Sequence, residues 1–166
     1  MQNPRKEFSQ IYDNYISKIY RFIFLKVSSI ETAEDLTSET FLRGWQVYEN
    51  RADDLENPQA FLYQIARNLV IDHYRKKAKN QVVSVDQNPL IDPRVNLEKN
   101  AEKNSDLMNI RNAMADLKDE YQNVLIWHYL DDLPVREVAK LMDKSEENTR
   151  VLLHRALKSL KKTIQT

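Results

Sequence analysis

The sequence predicts an all-α protein made of two small helical domains joined by a flexible linker. Glycine occurs once among 166 residues and proline five times, so tight hairpin turns have little raw material. Much of the chain instead consists of Glu, Lys, Leu and Ala, which favour helices. Apolar residues also recur at steps of three and four, the spacing of one helix face. The predicted domains are residues 1–80 and 103–166, and the predicted linker is residues 81–102.

The first predicted helix runs from about Arg5 to Val27, and the second begins near Glu31. Thr32 and Asp35 are spaced to form a capping box at the start of the second helix. The first helix has an aromatic-rich apolar face: Phe8, Ile11, Tyr12, Tyr15, Ile19, Phe22 and Ile23. The inward side of the second helix is predicted to carry Ala33, Leu36, Thr40 and Gly44. The glycine would let two helices approach closely.

The third predicted helix has Asn57 as its cap, Pro58 in its first position, and an end near Lys77. One apolar stripe should be buried: Phe61, Leu62, Ile65 and Leu69. The other side also carries large side chains: Tyr63, Arg67, Val70, Ile71 and Tyr74. Exposed aromatic residues beside Arg are suited to stacking on unpaired bases. The alternative is that the helix packs on both sides, and the pattern leaves both interpretations open.

A helix-turn-helix is predicted between Leu133 and about Lys162, after a linker that contains Pro89 and Pro93. Two supporting helices are expected around residues 107–117 and 121–130. The first helix of the pattern starts at Pro134, which is tolerated in a first turn. Asp143 and Lys144 then form the break, and Ser145 caps the second helix: these residue types suit a left-handed turn and a helix start.

The second helix of this pattern has an apolar side and a basic side. The apolar stripe is Leu153, Ala156, Leu157, Leu160 and Ile164. Between positions 150 and 162 there are five basic residues and no acidic one, which suits contact with phosphates. Asn148, Arg150 and Val151 lie at the N-terminal end, from which a recognition helix contacts base edges. A solvated basic face on an ordinary helix is the alternative, but a paired helix and a short turn favour DNA binding.

Composition excludes several classes of function. A single glycine excludes the Gly-rich phosphate loops of nucleotide-binding enzymes. The absence of cysteine excludes a disulfide scaffold and fits a reducing cytoplasm. Residues 1–8 are polar, unlike a signal peptide, and no apolar run reaches membrane-spanning length. We therefore expect a cytoplasmic protein without membrane insertion.

An enzyme is a further interpretation, namely a metal-dependent hydrolase using paired carboxylates such as Asp53 and Asp54 or Asp131 and Asp132. Adjacent residues point apart on a helix, however, which does not suit a shared site. The three histidines also lack metal-ligand spacing: His73, His128 and His154. We expect no catalytic residue, no metal and no cofactor.

The charges are segregated along the chain although the formal net charge is zero. Residues 31–57 contain eight acidic residues and two basic ones. Residues 63–79 contain five basic residues and one acidic residue. An acidic surface beside a basic one predicts two different partners.

Four stretches of the chain together resemble the extracytoplasmic-function sigma factors of the sigma-70 family. They are Ala33 to Trp45 (AEDLTSETFLRGW), Ala60 to Leu69 (AFLYQIARNL), Asp72 to Lys76 (DHYRK), and Tyr129 to Ala156. The resemblance covers nearly the whole chain. It implies a transcription initiation factor that binds bacterial core RNA polymerase, through the β′ clamp helices and the β flap, and binds promoter DNA. An anti-sigma factor is a common further partner in this family.

The resemblance also implies roles for individual residues. The polymerase-binding residues would be Asp35, Glu39, Leu42 and Gln46. The −10 element would be bound by the loop from Val47 to Asn57 and the third helix, through Asn57, Tyr63, Arg67, Asn68, Asp72, Arg75 and Lys76. The −35 element would be bound by Asn148, Arg150, Val151, His154, Arg155 and Lys158.

The recognition helix departs from the pattern of its relatives. Glu147, Arg150, Val151 and Leu152 stand where relatives commonly have Gly, Lys or Arg, Ser and Arg, and Leu157 replaces another frequent Arg. We therefore expect an unusual −35 preference. The remaining alternative is an operator-binding helix-turn-helix regulator, which would bind a palindromic duplex without polymerase.

Overall fold

A computed structural model describes residues 3–51, 55–83 and 105–165 of the chain. Seven helices are present in these ranges, and no strand is: α1 (Pro4–Val27), α2 (Ile30–Arg51), α3 (Pro58–Val83), α4 (105–114), α5 (Asp119–Val124), α6 (Val135–Met142) and α7 (Glu146–Gln165). A π-helical segment, Leu125–Leu130, continues directly from α5. The predicted all-α class is thus confirmed. Among the described residues, no helix has both the length and the apolar character needed to cross a bilayer.

The predicted limits of α1 are confirmed to within one residue. Asn3 caps the helix, because its side-chain oxygen accepts a hydrogen bond from Arg5 N at 3.1 Å. Pro4 occupies the first helical position, where the missing N–H costs nothing. The helix ends at Ser28, whose φ of 58° turns the chain into the left-handed region.

The start of α2 differs from the prediction. Ser29 caps it, since Ser29 Oγ accepts a hydrogen bond from Thr32 N at 3.3 Å, so the expected capping box at Thr32 is wrong. The helix also continues to Arg51, which makes residues 47–51 helical where a loop was predicted. Ala33, Thr40 and Gly44 do face inward as predicted. A Cβ at Gly44 would lie 3.0 Å from Leu62 Cδ2, so the close helix approach is also confirmed.

The cap of α3 is as predicted, and its end is not. Asn57 Oδ1 accepts a hydrogen bond from Ala60 N at 3.1 Å, and Pro58 starts the helix. The helix continues past the predicted end near Lys77 to Val83, because no glycine or proline interrupts it. Residues 81–83 of the predicted linker are therefore helical. Pro89 and Pro93, with the rest of that linker, lie outside the described residues.

The helix-turn-helix matches the prediction closely. Asp143 has φ 54° and ψ 48°, and the backbone N–H of Lys144 bonds to Ala139 O at 3.0 Å, which closes α6. Ser145 Oγ then accepts from Asn148 N at 3.0 Å and caps α7. The predicted apolar stripe of α7 is buried or half-buried except at its end. Ile164 is 65% exposed, because α7 extends beyond the helices that cover its earlier turns.

One continuous core joins the N-terminal and C-terminal helices. Phe22 of α1, Tyr63 of α3 and Trp127 of the π-helical segment are all fully buried. Their ring centroids lie 5.5–5.9 Å apart, within the range of favourable aromatic pairs. The sequence leaves the relative placement of the two domains open. Here the C-terminal helices pack directly on α1 and α3.

Candidate nucleic-acid interface

The predicted polymerase-binding residues of α2 share one outer face. Asp35, Leu42 and Gln46 are exposed, and Glu39 is half-exposed. The Glu39 carboxylate accepts a hydrogen bond from Arg43 Nε at 2.8 Å, an exposed pair one helical turn apart. Leu42 is 53% exposed, which places an apolar side chain among charged ones. Such a surface suits a protein partner with basic and apolar groups.

The predicted −10 residues of α3 fall into two groups. Asn68, Arg75 and Lys76 are exposed, and Asp72 is half-buried. Basic side chains at the C-terminal part of the helix are thus available to phosphates. Asn57 is half-buried, and its side-chain oxygen is occupied by the cap. Of the adjoining loop, residues 52–54 lie outside the described residues, including Asp53 and Asp54.

Tyr63 and Arg67, the other two predicted −10 residues, are covered by the C-terminal helices. The Tyr63 hydroxyl donates a hydrogen bond to the Asp131 carboxylate, and Arg67 Nη1 donates to Leu141 O at 2.8 Å. Burial, followed by the Asp131 charge, raises the pKa of Tyr63, so the phenol stays protonated and remains a donor. In this structure α3 therefore packs on both sides at Tyr63, whereas Tyr74 farther along is 43% exposed.

Two ion pairs that hold the two parts together were not predicted. Arg21 of α1 is ion-paired with Asp131, and Lys26 of α1 is ion-paired with Asp119 of α5. Burial lowers the pKa of Lys26 and raises that of Asp131, and in each case the ion pair opposes the shift. Arg21 and Lys26 interrupt an otherwise apolar stretch of α1, which is the available sequence signal.

The carboxylate pairs considered for an enzyme do not form a shared site where the structure describes them. Asp131 is buried against Arg21 and Tyr63, whereas Asp132 is exposed and has φ 58°. His128 Nδ1 lies 2.9 Å from Leu133 O and is part of the turn after the π-helical segment. Among the described residues, no group of three or more His, Cys, Asp or Glu side chains is placed to hold a metal ion.

The predicted −35 residues of α7 form one exposed face. All six are exposed: Asn148, Arg150, Val151, His154, Arg155 and Lys158. Arg150 Nη2 lies 4.0 Å from Glu146 Oε2, a loose surface pair that leaves the guanidinium able to turn outward. Thr149 is buried on the opposite side, and its hydroxyl donates to Ser145 O at 2.8 Å. The helix is thus anchored on one side and free on the other.

Comparison with known proteins places both halves of the chain in one family. The model of Sigma-70 region 2 matches residues 11–80, and that of Sigma-70, region 4 matches residues 107–160. The ECF RNA polymerase sigma factor SigM of Bacillus subtilis is 31% identical over 158 residues, covering 92% of this chain and 91% of SigM. BldN of Streptomyces coelicolor is 34% identical over 163 residues, and the match spans 92% of this chain but 58% of BldN.

A solved structure shows the same fold. The sigma factor RpoE from Bartonella quintana, in complex with the anti-sigma factor NepR, superposes with a TM-score of 0.75 at 20% identity, over 97% of this chain and 98% of RpoE. The chain is a sigma-70-type transcription initiation factor, in which a region 2 and a region 4 occur in order. It belongs to the extracytoplasmic-function RNA polymerase sigma factors. The comparisons support this interpretation and not the operator-binding regulator.

Proposed function

We propose that this sigma factor binds bacterial core RNA polymerase in the cytoplasm, directs it to promoters with −35 and −10 elements, and assists strand opening without catalysing a reaction. The observation that carries the proposal is the co-occurrence of region 2 and region 4 in one chain, each with an exposed face of the required chemistry. The energy for opening would come from binding, because extruding a base costs a few kcal/mol that a pocket and stacking partners must supply.

In this proposal the outer face of α2 binds the β′ clamp helices. Asp35 and Glu39 would complement basic groups, and Leu42 would supply an apolar anchor at the centre of the contact. The C-terminal domain would contact the β flap. An anti-sigma factor is a further proposed partner, and a chain with two domains offers such a protein two surfaces to hold at once.

In the same proposal α3 and α7 bind the two promoter elements. The exposed basic residues at the end of α3, Arg75 and Lys76, would hold the phosphates beside the −10 element. In α7, Arg150 would contact guanine and Asn148 adenine in the major groove of the −35 element. Leu152 and Leu157 replace two basic residues common among relatives, which suggests an unusual −35 sequence.

The decisive experiment is run-off transcription with purified bacterial core polymerase on fragmented host DNA, with start sites mapped by sequencing. New starts that share two spaced upstream elements are expected only when the protein is added. A double variant with Asp35→Lys and Glu39→Lys should lose polymerase binding and these transcripts, while retaining its helical circular dichroism. If wild-type protein neither binds the polymerase nor produces transcripts, the proposed function is wrong.

A further inference from the structure

The exposed face of α7 has a central row of side chains that points away from the protein body. The buried side of the helix consists of Thr149, Leu152, Leu153 and Ala156. At about 100° per residue, Glu147 points roughly 170° away from the middle of that side, and Val151 roughly 150°. Arg150 and Asn148 lie roughly 110° and 90° away, toward the two edges of the exposed face. Glu147 and Val151 therefore occupy the middle of the surface that the proposed function turns toward DNA.

The carboxylate of Glu147 is available to a partner outside the chain. The residue is exposed, and within the described parts of the protein its side chain has neither a hydrogen bond nor an ion pair. The preceding acid, Glu146, instead lies 4.0 Å from Arg150 Nη2. Both acids belong to the first turn, where a negative charge stabilises the helix N-terminus. Either acid serves that purpose equally, so helix stability does not account for a carboxylate at the centre of the exposed face.

A carboxylate at this place distinguishes between bases by what they offer it. An ionised Glu side chain only accepts hydrogen bonds. In the major groove cytosine presents its N4 amino group as a donor, whereas guanine and thymine present oxygen acceptors. Adenine presents a donor and an acceptor side by side. A carboxylate that meets the base edges therefore favours cytosine, and it is repelled by the acceptors of guanine and thymine.

We propose that Glu147 is a specificity-determining residue of the −35 interface, which selects a cytosine at one position by accepting a hydrogen bond from its N4 amino group. The inference rests on the proposed role of α7 at the −35 element. Phosphates repel a carboxylate, so Glu147 lowers the affinity for DNA in general while it raises the discrimination between sequences. The relatives commonly have Gly at this position, which has no side chain to reach a base. The selected cytosine is thus particular to this chain.

Val151 indicates where the cytosine lies relative to a second base. Val151 is 44% exposed and follows Glu147 by four residues, so it presents an apolar group on the same helix face. An apolar side chain in the major groove contacts the methyl group of thymine. Side chains one helical turn apart are separated by about 5–6 Å, and successive base pairs by about 3.4 Å. The cytosine and the thymine should therefore lie within about two base pairs of each other.

A binding selection with the full chain in complex with purified core polymerase tests the proposal. Promoter fragments from the run-off experiment receive a randomised −35 element, and the base frequencies in bound fragments are compared with those in the starting pool. Wild-type protein should favour cytosine over the other bases at one position by at least ~5-fold. Glu147→Ala should abolish this preference. Glu147→Gln should shift it toward adenine, because an amide pairs with both the donor and the acceptor of adenine.

Glu146→Gln is the matched control. It removes the same charge from the same turn of α7, so it reproduces any effect on helix stability or on the general repulsion from phosphates. Glu146 points roughly 70° from the middle of the buried side, away from the centre of the exposed face, so the cytosine preference should be unchanged. Val151→Ala marks the neighbouring position, because it should relax a thymine preference within about two base pairs of the cytosine.

Two results would overturn this inference while leaving the proposed function intact. One is a −35 motif of the wild-type protein in which no cytosine preference depends on Glu147. The other is an equal loss of the cytosine preference in Glu146→Gln, which would mean that the charge at the helix end acts and not a contact with the base. A wild-type complex that enriches no −35 sequence at all would instead contradict the proposed function, and this inference with it.

Discussion

Replacing Leu42 with Ala should weaken binding to core polymerase by a predictable amount. The side chain is 53% exposed in the free protein and has charged neighbours, so its remaining apolar surface is available to a partner. Fully burying a Leu side chain contributes about 1.5–3 kcal/mol. With about half of it already buried, the loss on truncation is about 0.8–1.6 kcal/mol. That corresponds to a Kd roughly 4- to 15-fold weaker.

The assay is an anisotropy titration of fluorescently labelled protein with purified core polymerase. Ile71→Ala is the matched control, because Ile71 is an exposed aliphatic residue of α3, outside both the proposed α2 face and the C-terminal domain. Each variant should lower the free energy of unfolding by at most about 2 kcal/mol, because about half of the Leu42 side chain and about two thirds of the Ile71 side chain are already buried.

Salt separates the apolar contribution from the ionic one. The effect of Leu42→Ala should persist as ionic strength rises, whereas the effect of Glu39→Lys should shrink because exposed charges are screened. An affinity of Leu42→Ala equal to that of Ile71→Ala at all salt concentrations would refute the assignment of this α2 face to polymerase binding.

Four further predictions concern packing, capping, base recognition and phosphate contact. Gly44→Ala should lower the free energy of unfolding by about 0–2 kcal/mol, because the clash between the new methyl group and the buried Leu62 outweighs the higher helix propensity of Ala. A stabilised variant in urea denaturation would contradict this prediction. Ser145→Ala should cost about 1 kcal/mol in the same assay through loss of the α7 cap, and an unchanged midpoint would mean that the cap contributes nothing. Arg150→Ala should relax preference at one −35 position by about 1–3 kcal/mol. Lys158→Ala should instead weaken binding to all DNA sequences alike, and it should reduce the slope of log K against log salt concentration by about 1. A salt titration of −35 duplex binding by the holoenzyme would measure both effects.

The sequence predicted best those features that depend on neighbouring residues. The caps at Asn57 and Ser145 were identified correctly because a cap requires only a side chain and the N–H groups a few residues on. The left-handed backbone of Asp143 was also predicted correctly, because the residue type at the turn is enough to indicate it. The end of α3 was placed too early because a basic, polar helix terminus resembles the start of a linker. The proposed polymerase and −35 faces lie on exposed helix surfaces, which periodicity also predicts.

The docking of the C-terminal helices on α3 could not be predicted in the same way. Asp131 and Arg21 are separated by 110 positions, and no local pattern identifies one as the partner of the other. The π-helical segment lies in an apolar run that fits an ordinary helix equally well, so the wide turn that directs Asp131 inward had no signal.

The chemistry of the α3 face that bears Tyr63 and Arg67 explains why the sequence favoured neither base stacking nor packing on both sides of the helix. An aromatic ring and a guanidinium are what a flipped base requires for stacking and hydrogen bonding. The same two groups also serve in the protein core. Tyr63 packs against Trp127 and donates a hydrogen bond to Asp131, and Arg67 donates a hydrogen bond to the backbone carbonyl of Leu141. Periodicity cannot distinguish the two uses, because both place Tyr63 and Arg67 on one helix side. A substitution at Tyr63 would therefore disturb both uses together, whereas a substitution at Asp131, which lies outside the proposed −10 surface, tests the packing contact by itself.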